Sequence, residues 1–91
     1  MVLHLIQRSP FSSTTVRDCL NIIGTQDSLL FMQDGVYIQS HPTLNSITNP
    51  VYLLQDDLSA RGLEVNGKEK SISYQEFVQL CTEHEKVISW Y

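Results

Sequence analysis

Short apolar runs alternate along the chain with stretches in which apolar residues recur every three or four positions. The runs at 2–6, 29–32, 51–54 and 87–90, with a shorter one at 71–72, predict five β-strands. They lack the strict alternation of apolar and polar residues that a strand with one solvated face shows. This pattern is typical of parallel strands whose two faces are both covered by helices.

An amphipathic helix is predicted between the first two strands. Its apolar stripe has the spacing of one helical face and consists of Val16, Cys19, Leu20 and Ile23. Ser12 and Ser13 are predicted to cap its N-terminus, because a hydroxyl oxygen can accept a hydrogen bond from a free backbone N–H. Gly24 is predicted to end it.

Three further helices are predicted from the residues at their ends. Pro42 suits the first turn of a short helix. Residues 56–61 have acids in the first turn and a cation in the last, which the helix dipole favours, and a glycine follows them. Residues 74–83 begin with a capping box formed by Ser73 and Glu76.

The alternation of strands and helices predicts the α/β class. We expect a single three-layer, doubly wound domain over residues 1–91, with about five mainly parallel strands joined by right-handed crossovers. Two turns are predicted at glycines, one at residues 33–35 and one at Asn66 and Gly67.

Composition excludes several classes of function. The 91 residues carry six Lys and Arg against ten Asp and Glu, a net charge of -4, which opposes nucleic-acid binding by this chain alone. The longest apolar runs have four residues, whereas a membrane helix needs about 20, so no membrane association is expected. The first residues show no basic segment before the apolar run, so we expect no secretory signal.

Cysteine usage points to a reducing compartment. Two cysteines, Cys19 and Cys81, are too few for a disulfide scaffold, and their separation does not match a zinc site. We therefore expect free thiols, a cytoplasmic location, and neither a metal nor a cofactor.

Charged residues follow three of the predicted strands, where partners and ligands of parallel sheets bind. Arg8 follows the first strand, Asp34 the second, and Asp56 with Asp57 the third. Asp34 is interpreted as a turn residue and Asp56 or Asp57 as a helix cap. Arg8 is interpreted as the cation that balances these acids, and some involvement in an interface is expected.

Other residues leave several alternatives open. The Ser and Thr hydroxyls at 9–15 suit either helix capping, which is favoured, or binding of an anion or nucleotide. Cys19 could carry sulfur as a persulfide, although its apolar helical face favours a buried thiol. His4 is interpreted as a core imidazole. Trp90 and Tyr91 are predicted to lie in an interface between subunits, where aromatic residues are enriched.

Four stretches, in this order and spacing, resemble the TusB/DsrH family of sulfur-relay subunits. They are Leu3-His4-Leu5 leading to Arg8-Ser9-Pro10, Leu29-Leu30 leading to residues 33–37, Val51-Tyr52 leading to residues 57–63, and residues 74–80. The resemblance covers nearly the whole chain and implies a single DsrE/F/H-like domain. It also implies a cytoplasmic hexamer with TusC-like and TusD-like homologous subunits, two copies of each.

The implied pathway takes sulfur from a persulfide donor protein and passes it through the complex towards the wobble uridine of tRNA, which becomes a 2-thiouridine. In the D-type subunit of this family the acceptor cysteine follows the third strand, where this chain has Gln55, Asp56 and Asp57. The resemblance therefore implies a subunit without the main catalytic cysteine. DsrH-type chains carry a cysteine in the first helix, at a position similar to Cys19, so a persulfide carrier in sulfur oxidation is the alternative.

Overall fold

Strands and helices alternate along the computed structural model, which describes residues 1–65, 67 and 69–90. In chain order the elements are β1 (Val2–Ile6), α1 (Thr15–Leu20), β2 (Ser28–Phe31), two 3₁₀ helices (Gln33–Ser40 and Pro42–Ser46), β3 (Val51–Leu54), α2 (Gln55–Ala60), β4 (Lys70–Ile72), α3 (Tyr74–Glu83) and β5 (Lys86–Trp90). Each strand agrees with its predicted bounds to within one residue at either end. The α/β class is confirmed.

All strand pairs in the sheet are parallel, and the strand order is β4-β3-β2-β1-β5. The first three connections step outward from β1 to β4, and the last returns across the sheet to the far side of β1. Because parallel crossovers are right-handed, connections that run in opposite directions lie on opposite faces. This reversal makes the fold doubly wound and leaves α3 as the helix on the second face.

Two apolar clusters confirm this layering. The first face packs β-strand residues such as Ile6 and Phe31 against α1, both 3₁₀ helices and α2. On the second face, Leu3, Leu5 and Leu30 pack against Leu80 of α3. A single ten-residue helix therefore covers the second face.

Helix α1 is shorter than predicted, and neither serine is its N-cap. The N-cap is Thr14, without a side-chain capping bond, and the hydroxyl of Ser13, one residue earlier, accepts the N–H of Thr15, the first residue of the helix, at 3.2 Å. The helix ends at Leu20 instead of reaching Gly24. A turn follows, in which the Ile22 N–H donates to the Cys19 carbonyl oxygen at 3.1 Å, and the Gly24 N–H then donates to the Asp27 carboxylate at 3.0 Å.

The turn predicted at residues 33–35 opens the first 3₁₀ helix and passes very close to β1. The Met32 N–H donates to the Ile6 carbonyl oxygen at 2.9 Å, and a Cβ on Gly35 would lie 2.3 Å from the same oxygen. A glycine is required because a side chain would displace the β1 backbone. The other predicted turn includes Asn66, which lies outside the described residues.

We expect Gly35→Ala to lower the free energy of unfolding by about 2 kcal/mol, because the added methyl group overpacks a site bounded by backbone. Gly24→Ala is the matched control, since its Cβ would meet the nearest atom at an ordinary 3.4 Å. Urea unfolding of both variants measures the difference. Equal midpoints for the two variants would contradict this account of Gly35.

Candidate functional site at the carboxyl ends of the strands

Arg61, at the C-terminal end of α2, ties this helix to the start of the first 3₁₀ helix; the two helices follow β3 and β2, respectively. Its Nε and Nη2 atoms both donate to Oδ1 of Asp34, at 3.1 and 2.9 Å. Its Nη1 donates to the backbone carbonyl oxygen of Asp57 at 3.1 Å. The planar guanidinium makes these bonds simultaneously because its donors are held in a rigid fork. Asp34 and Asp57 are thus brought together, as their positions after neighbouring strands predict.

Asp57 holds the backbone at Gln33 and does not cap α2. Its Oδ2 accepts the Gln33 N–H at 2.7 Å, at a residue with a φ of 51°. A left-handed backbone costs a residue with a side chain about 1 kcal/mol, and this hydrogen bond offsets that cost. The predicted capping by Asp56 or Asp57 is wrong, because β3 runs directly into α2 and its N-cap is Leu54.

The cation that balances these acids is Arg61 and not Arg8. Both Arg8 and Asp56 are exposed, and neither forms an ion pair with a described residue. Arg61 takes this role because it follows Asp57 by four residues on α2 and therefore returns to the same edge of the sheet. Asp34, Asp57 and Arg61 form a strand-end cluster that joins the first 3₁₀ helix to α2 and presents no thiol at the end of β3.

Cys19 is fully buried on the first face of the sheet, in the same cluster as Val16, as the helical spacing predicts. Burial raises the pKa of this thiol to about 11, and the negative charge of Asp27 adds to the effect. Persulfide chemistry needs an accessible thiolate. At neutral pH the Cys19 side chain is a protonated thiol without solvent contact.

Cys81 lies on the second face and is partly buried against the cluster that contains Leu80. Burial raises the pKa of its thiol above the ordinary value. Both cysteines are free, as expected. Among the described residues, no group of three or more His, Cys, Asp and Glu side chains is placed to hold a metal ion.

A buried hydrogen-bond network around His4 lies at the other end of the sheet. The Trp90 indole N–H donates to Nδ1 of His4 at 3.0 Å. Because an indole nitrogen only donates, Nδ1 accepts, and the neutral imidazole carries its proton on Nε2. Nε2 then donates to Oδ2 of Asp27 at 2.9 Å. The interpretation of His4 as a core imidazole agrees with its 3% exposure and these two partners.

Asp27 is the acceptor at the centre of this network. In addition to His4, it accepts the backbone N–H groups of Val2 and Gly24, each at 3.0 Å. The hydrogen bond from His4 is the main reason that the pKa of Asp27 is lowered, and the two backbone donors contribute in the same direction. The Asn49 amide donates to the Asp27 carbonyl oxygen at 3.0 Å and joins the start of β3 to the network.

The sequence reveals the buried histidine of this network but not its partners. A histidine inside an apolar strand requires partners, which is visible from the sequence alone. The partners lie 23 and 86 residues away and show no motif. Trp90 therefore supports the fold of the single chain, and its place in an interface stays a prediction. Tyr91 lies outside the described residues.

Comparison with known proteins identifies the family. The model of the family described as DsrH like protein matches residues 8–87. The curated Protein TusB of Escherichia coli O81 (strain ED1a) is 35% identical over 98% of this chain and all of its own length. Protein TusB of Buchnera aphidicola subsp. Baizongia pistaciae (strain Bp) is 31% identical with the same coverage. The chain belongs to the TusB/DsrH family.

A solved structure has the same fold as this TusB/DsrH family member. The solution NMR structure of protein Tm0979 from Thermotoga maritima superposes with a TM-score of 0.74, covering 93% of this chain and 95% of that one, at 24% identity. Four residues from the stretches that carry the resemblance have a structural role. Asp34, Asp57 and Arg61 form the strand-end cluster, and Gly35 makes the close approach to β1. Of the described helices, none has the length and apolar character needed to cross a bilayer.

Replacing Arg61 tests whether the strand-end cluster depends on its fork of donors. We expect Arg61→Ala to lower the free energy of unfolding by about 1 to 2 kcal/mol, because the Asp57 carbonyl oxygen and the Asp34 carboxylate both lose a charged donor. Arg61→Lys should restore less than half, since an ammonium cannot form the fork. Arg8→Ala is the control, and a loss there equal to that of Arg61→Ala would contradict the assignment.

The Asp27 network predicts a specific pH dependence of stability. Because the pKa of Asp27 is lower in the folded chain than in the unfolded chain, its contribution is complete above the unfolded value of about 3.9 and is lost as the pH falls through the folded value. Asp27→Asn should cost about 1 to 3 kcal/mol at pH 7, since the amide NH₂ faces a backbone or imidazole donor.

Denaturant unfolding from pH 7 down to pH 3 measures the difference between the wild type and Asp27→Asn. The difference should shrink as the pH falls below about 4, because the unfolded chain takes up a proton at Asp27 there while the folded chain still holds the carboxylate charged. Asp18→Asn, at an exposed carboxylate of α1, is the control and should show almost no difference at any pH. A constant difference for Asp27→Asn over the whole range would refute the role of its charge.

Proposed function

We propose that this chain is a TusB-like, non-catalytic subunit of a sulfur-relay complex. The observation that carries the proposal is the strand-end cluster after β3. The resemblance places the acceptor cysteine of the D-type subunit there, and in this chain Asp57 instead accepts the Gln33 N–H and shares Arg61 with Asp34. The position serves the fold in this chain, so sulfur is carried by cysteines of the partner subunits.

The chemistry of sulfur transfer supports the assignment of the sulfur-carrying cysteines to the partner subunits. A receiving thiolate attacks the outer sulfur of a donor persulfide, a new S–S bond forms, and the donor leaves as a thiolate. This step requires a receiving thiol that is accessible and ionised near neutral pH. Cys19 has no exposed surface and a pKa raised to about 11 by burial. Cys81 is also partly buried, with a raised pKa.

Uncovered apolar surface supports the proposed assembly with TusC-like and TusD-like subunits, two copies of each. On α3, Tyr74 is 59% exposed and Val78 is 49% exposed, and Tyr74 packs edge to face on Phe77. Val87 of the edge strand β5 is also exposed. Aromatic and aliphatic side chains gathered on one helix are characteristic of interface cores.

In this proposal the complex is cytoplasmic and delivers sulfur towards the wobble uridine of tRNA. A chain with a net charge of -4 lacks the cationic surface that grips RNA. Contact with tRNA therefore belongs to other proteins of the pathway, and this chain contributes assembly. The DsrH-like persulfide carrier in sulfur oxidation is the competing function, and it depends on Cys19.

Co-expression with the TusC-like and TusD-like subunits of the same genome, followed by size-exclusion chromatography, tests the assembly. We expect one hexameric species, and we expect Val78→Glu to dissociate this chain from it because a carboxylate would be buried in an apolar interface. Ile22→Glu is the matched control, since Ile22 is 68% exposed on the opposite face of the sheet. A wild-type chain that stays monomeric beside its folded partners would refute the proposal.

Cys19→Ser tests whether this chain carries sulfur itself. We expect the variant complex to transfer sulfur to tRNA at a rate within about twofold of the wild type, because the buried thiol takes no part in the relay. The native chain should resist alkylation at Cys19 and show no +32 Da adduct there after exposure to a persulfide donor. Loss of transfer despite normal assembly, together with rapid alkylation, would replace the scaffold with the persulfide carrier.

A further inference from the structure

A cavity of about 600 Å³ lies between the segment that follows β1 and the start of the second 3₁₀ helix. Its walls include Phe11, Arg17 and His41. The volume lies within the range of about 300 to 1,000 Å³ that is usual for small-molecule sites. This cavity is separate from the strand-end cluster around Arg61, and neither cysteine lines it.

The polar groups in this cavity are mainly donors. Arg17 is exposed and forms no ion pair with a described residue. Nδ1 of His41 accepts the Thr43 N–H at 3.1 Å, so the neutral ring carries its proton on Nε2. Ser12 and Thr43, which carry hydroxyl groups, also line this space.

Carboxylates are absent from the described lining of the cavity, although the chain has ten of them against six Lys and Arg. The nearest acid along the chain, Asp18, accepts the Thr14 hydroxyl at 3.2 Å and does not line the space. A site with a guanidinium, an imidazole and hydroxyl groups, and without an acid, selects for an anion.

The cavity also has an aromatic wall that a simple anion does not need. Phe11 is 62% exposed, and it packs edge to face on His41 with ring centroids 4.9 Å apart. The Phe11 N–H donates to the Ser9 hydroxyl oxygen at 3.2 Å, which holds the loop beneath the ring. An edge-to-face contact leaves ring surface available for another planar group to stack.

We propose that this cavity binds a nucleoside monophosphate. The phosphate lies against Arg17 and His41, and the base stacks on Phe11. Charge-assisted hydrogen bonds supply the recognition of the phosphate, and stacking supplies the recognition of the base without regard to its identity. This site is independent of the proposed function, because it uses neither a cysteine nor the α3 surface.

Titration of the full ¹⁵N-labelled chain with AMP, adenosine and inorganic phosphate tests the site by NMR. AMP should shift the amides of Phe11, Arg17 and Thr43, and should bind at least about tenfold more tightly than either fragment, since only AMP uses both walls. Absence of shifts with AMP at millimolar concentration would overturn the proposal. Equal affinity for AMP and inorganic phosphate would overturn it as well, because the aromatic wall would then contribute nothing.

Two variants with matched controls locate the two halves of the ligand. Arg17→Gln should weaken AMP binding by about tenfold or more, through the loss of a charged donor, whereas Arg8→Gln, at another exposed and unpaired arginine, should not. Phe11→Ala should weaken AMP by about tenfold and leave inorganic phosphate unchanged. Tyr74→Ala is its control, because Tyr74 is an exposed aromatic residue on α3. Equal losses in a variant and its control would refute the site.

The same titration on the assembled relay complex decides between a ligand site and a contact with a partner subunit. We expect AMP to bind the complex and the isolated chain with similar affinity. Loss of AMP binding on assembly would show that a partner covers the cavity and would overturn the proposal. If the chain does not assemble with its partners, the titration of the isolated chain still tests the site, so the two proposals fail separately.

Discussion

A buried imidazole on an interior strand of the sheet is the interaction on which the rest of the structure depends. His4 needs a partner for each ring nitrogen, because an unsatisfied buried polar group costs about 1 to 3 kcal/mol. Its partners are Asp27, directly before β2, and Trp90, at the end of β5. The edge strand and the start of β2 are thereby fixed to β1 by bonds that apolar packing alone would not specify.

Asp27 extends this constraint beyond the imidazole. Its carboxylate holds the N–H of Val2 and of Gly24, and its carbonyl oxygen accepts the Asn49 amide. The amino ends of β1, β2 and β3 are therefore tied at one point. Burial is the main cause of the raised pKa of the Cys19 thiol, and the negative charge of Asp27 adds to it. A single carboxylate thus stabilises the fold and opposes ionisation of the one cysteine in α1.

The opposite edge of the sheet is organised by a second charged cluster with a different consequence. Arg61 joins Asp34 of the first 3₁₀ helix to Asp57 of α2, at the position where the resemblance places the acceptor cysteine of the D-type subunit. Three residues from the stretches that carry the family resemblance are therefore accounted for by the packing of these two helices. In this chain the position therefore serves the packing of the two helices, which is the observation behind the proposed non-catalytic role.

The sequence by itself determined the strands, the α/β class and α3. Their signals are local: apolar runs, helical spacing, and the capping box of Ser73 and Glu76, in which both predicted hydrogen bonds are present. It also predicted a turn at Gly35, whereas the reason that this residue must be a glycine, the nearby Ile6 carbonyl oxygen, is visible only in the structure. The family followed in the same way, from motifs in a fixed order.

Only the tertiary structure decided which charged groups meet. Positions along the sequence do not distinguish Arg8 from Arg61 as the partner of Asp34, since Arg61 follows Asp34 by 27 residues. The choice depends on α2 following β3 without a loop, which turns Arg61 towards Asp34 and removes the acids from the cap position. The partners of His4 could not be found either, because strand order places β5 beside β1, and no local pattern encodes strand order. Hydrogen bonds and ion pairs act over a few ångströms, so their partners are known only once the chain is packed.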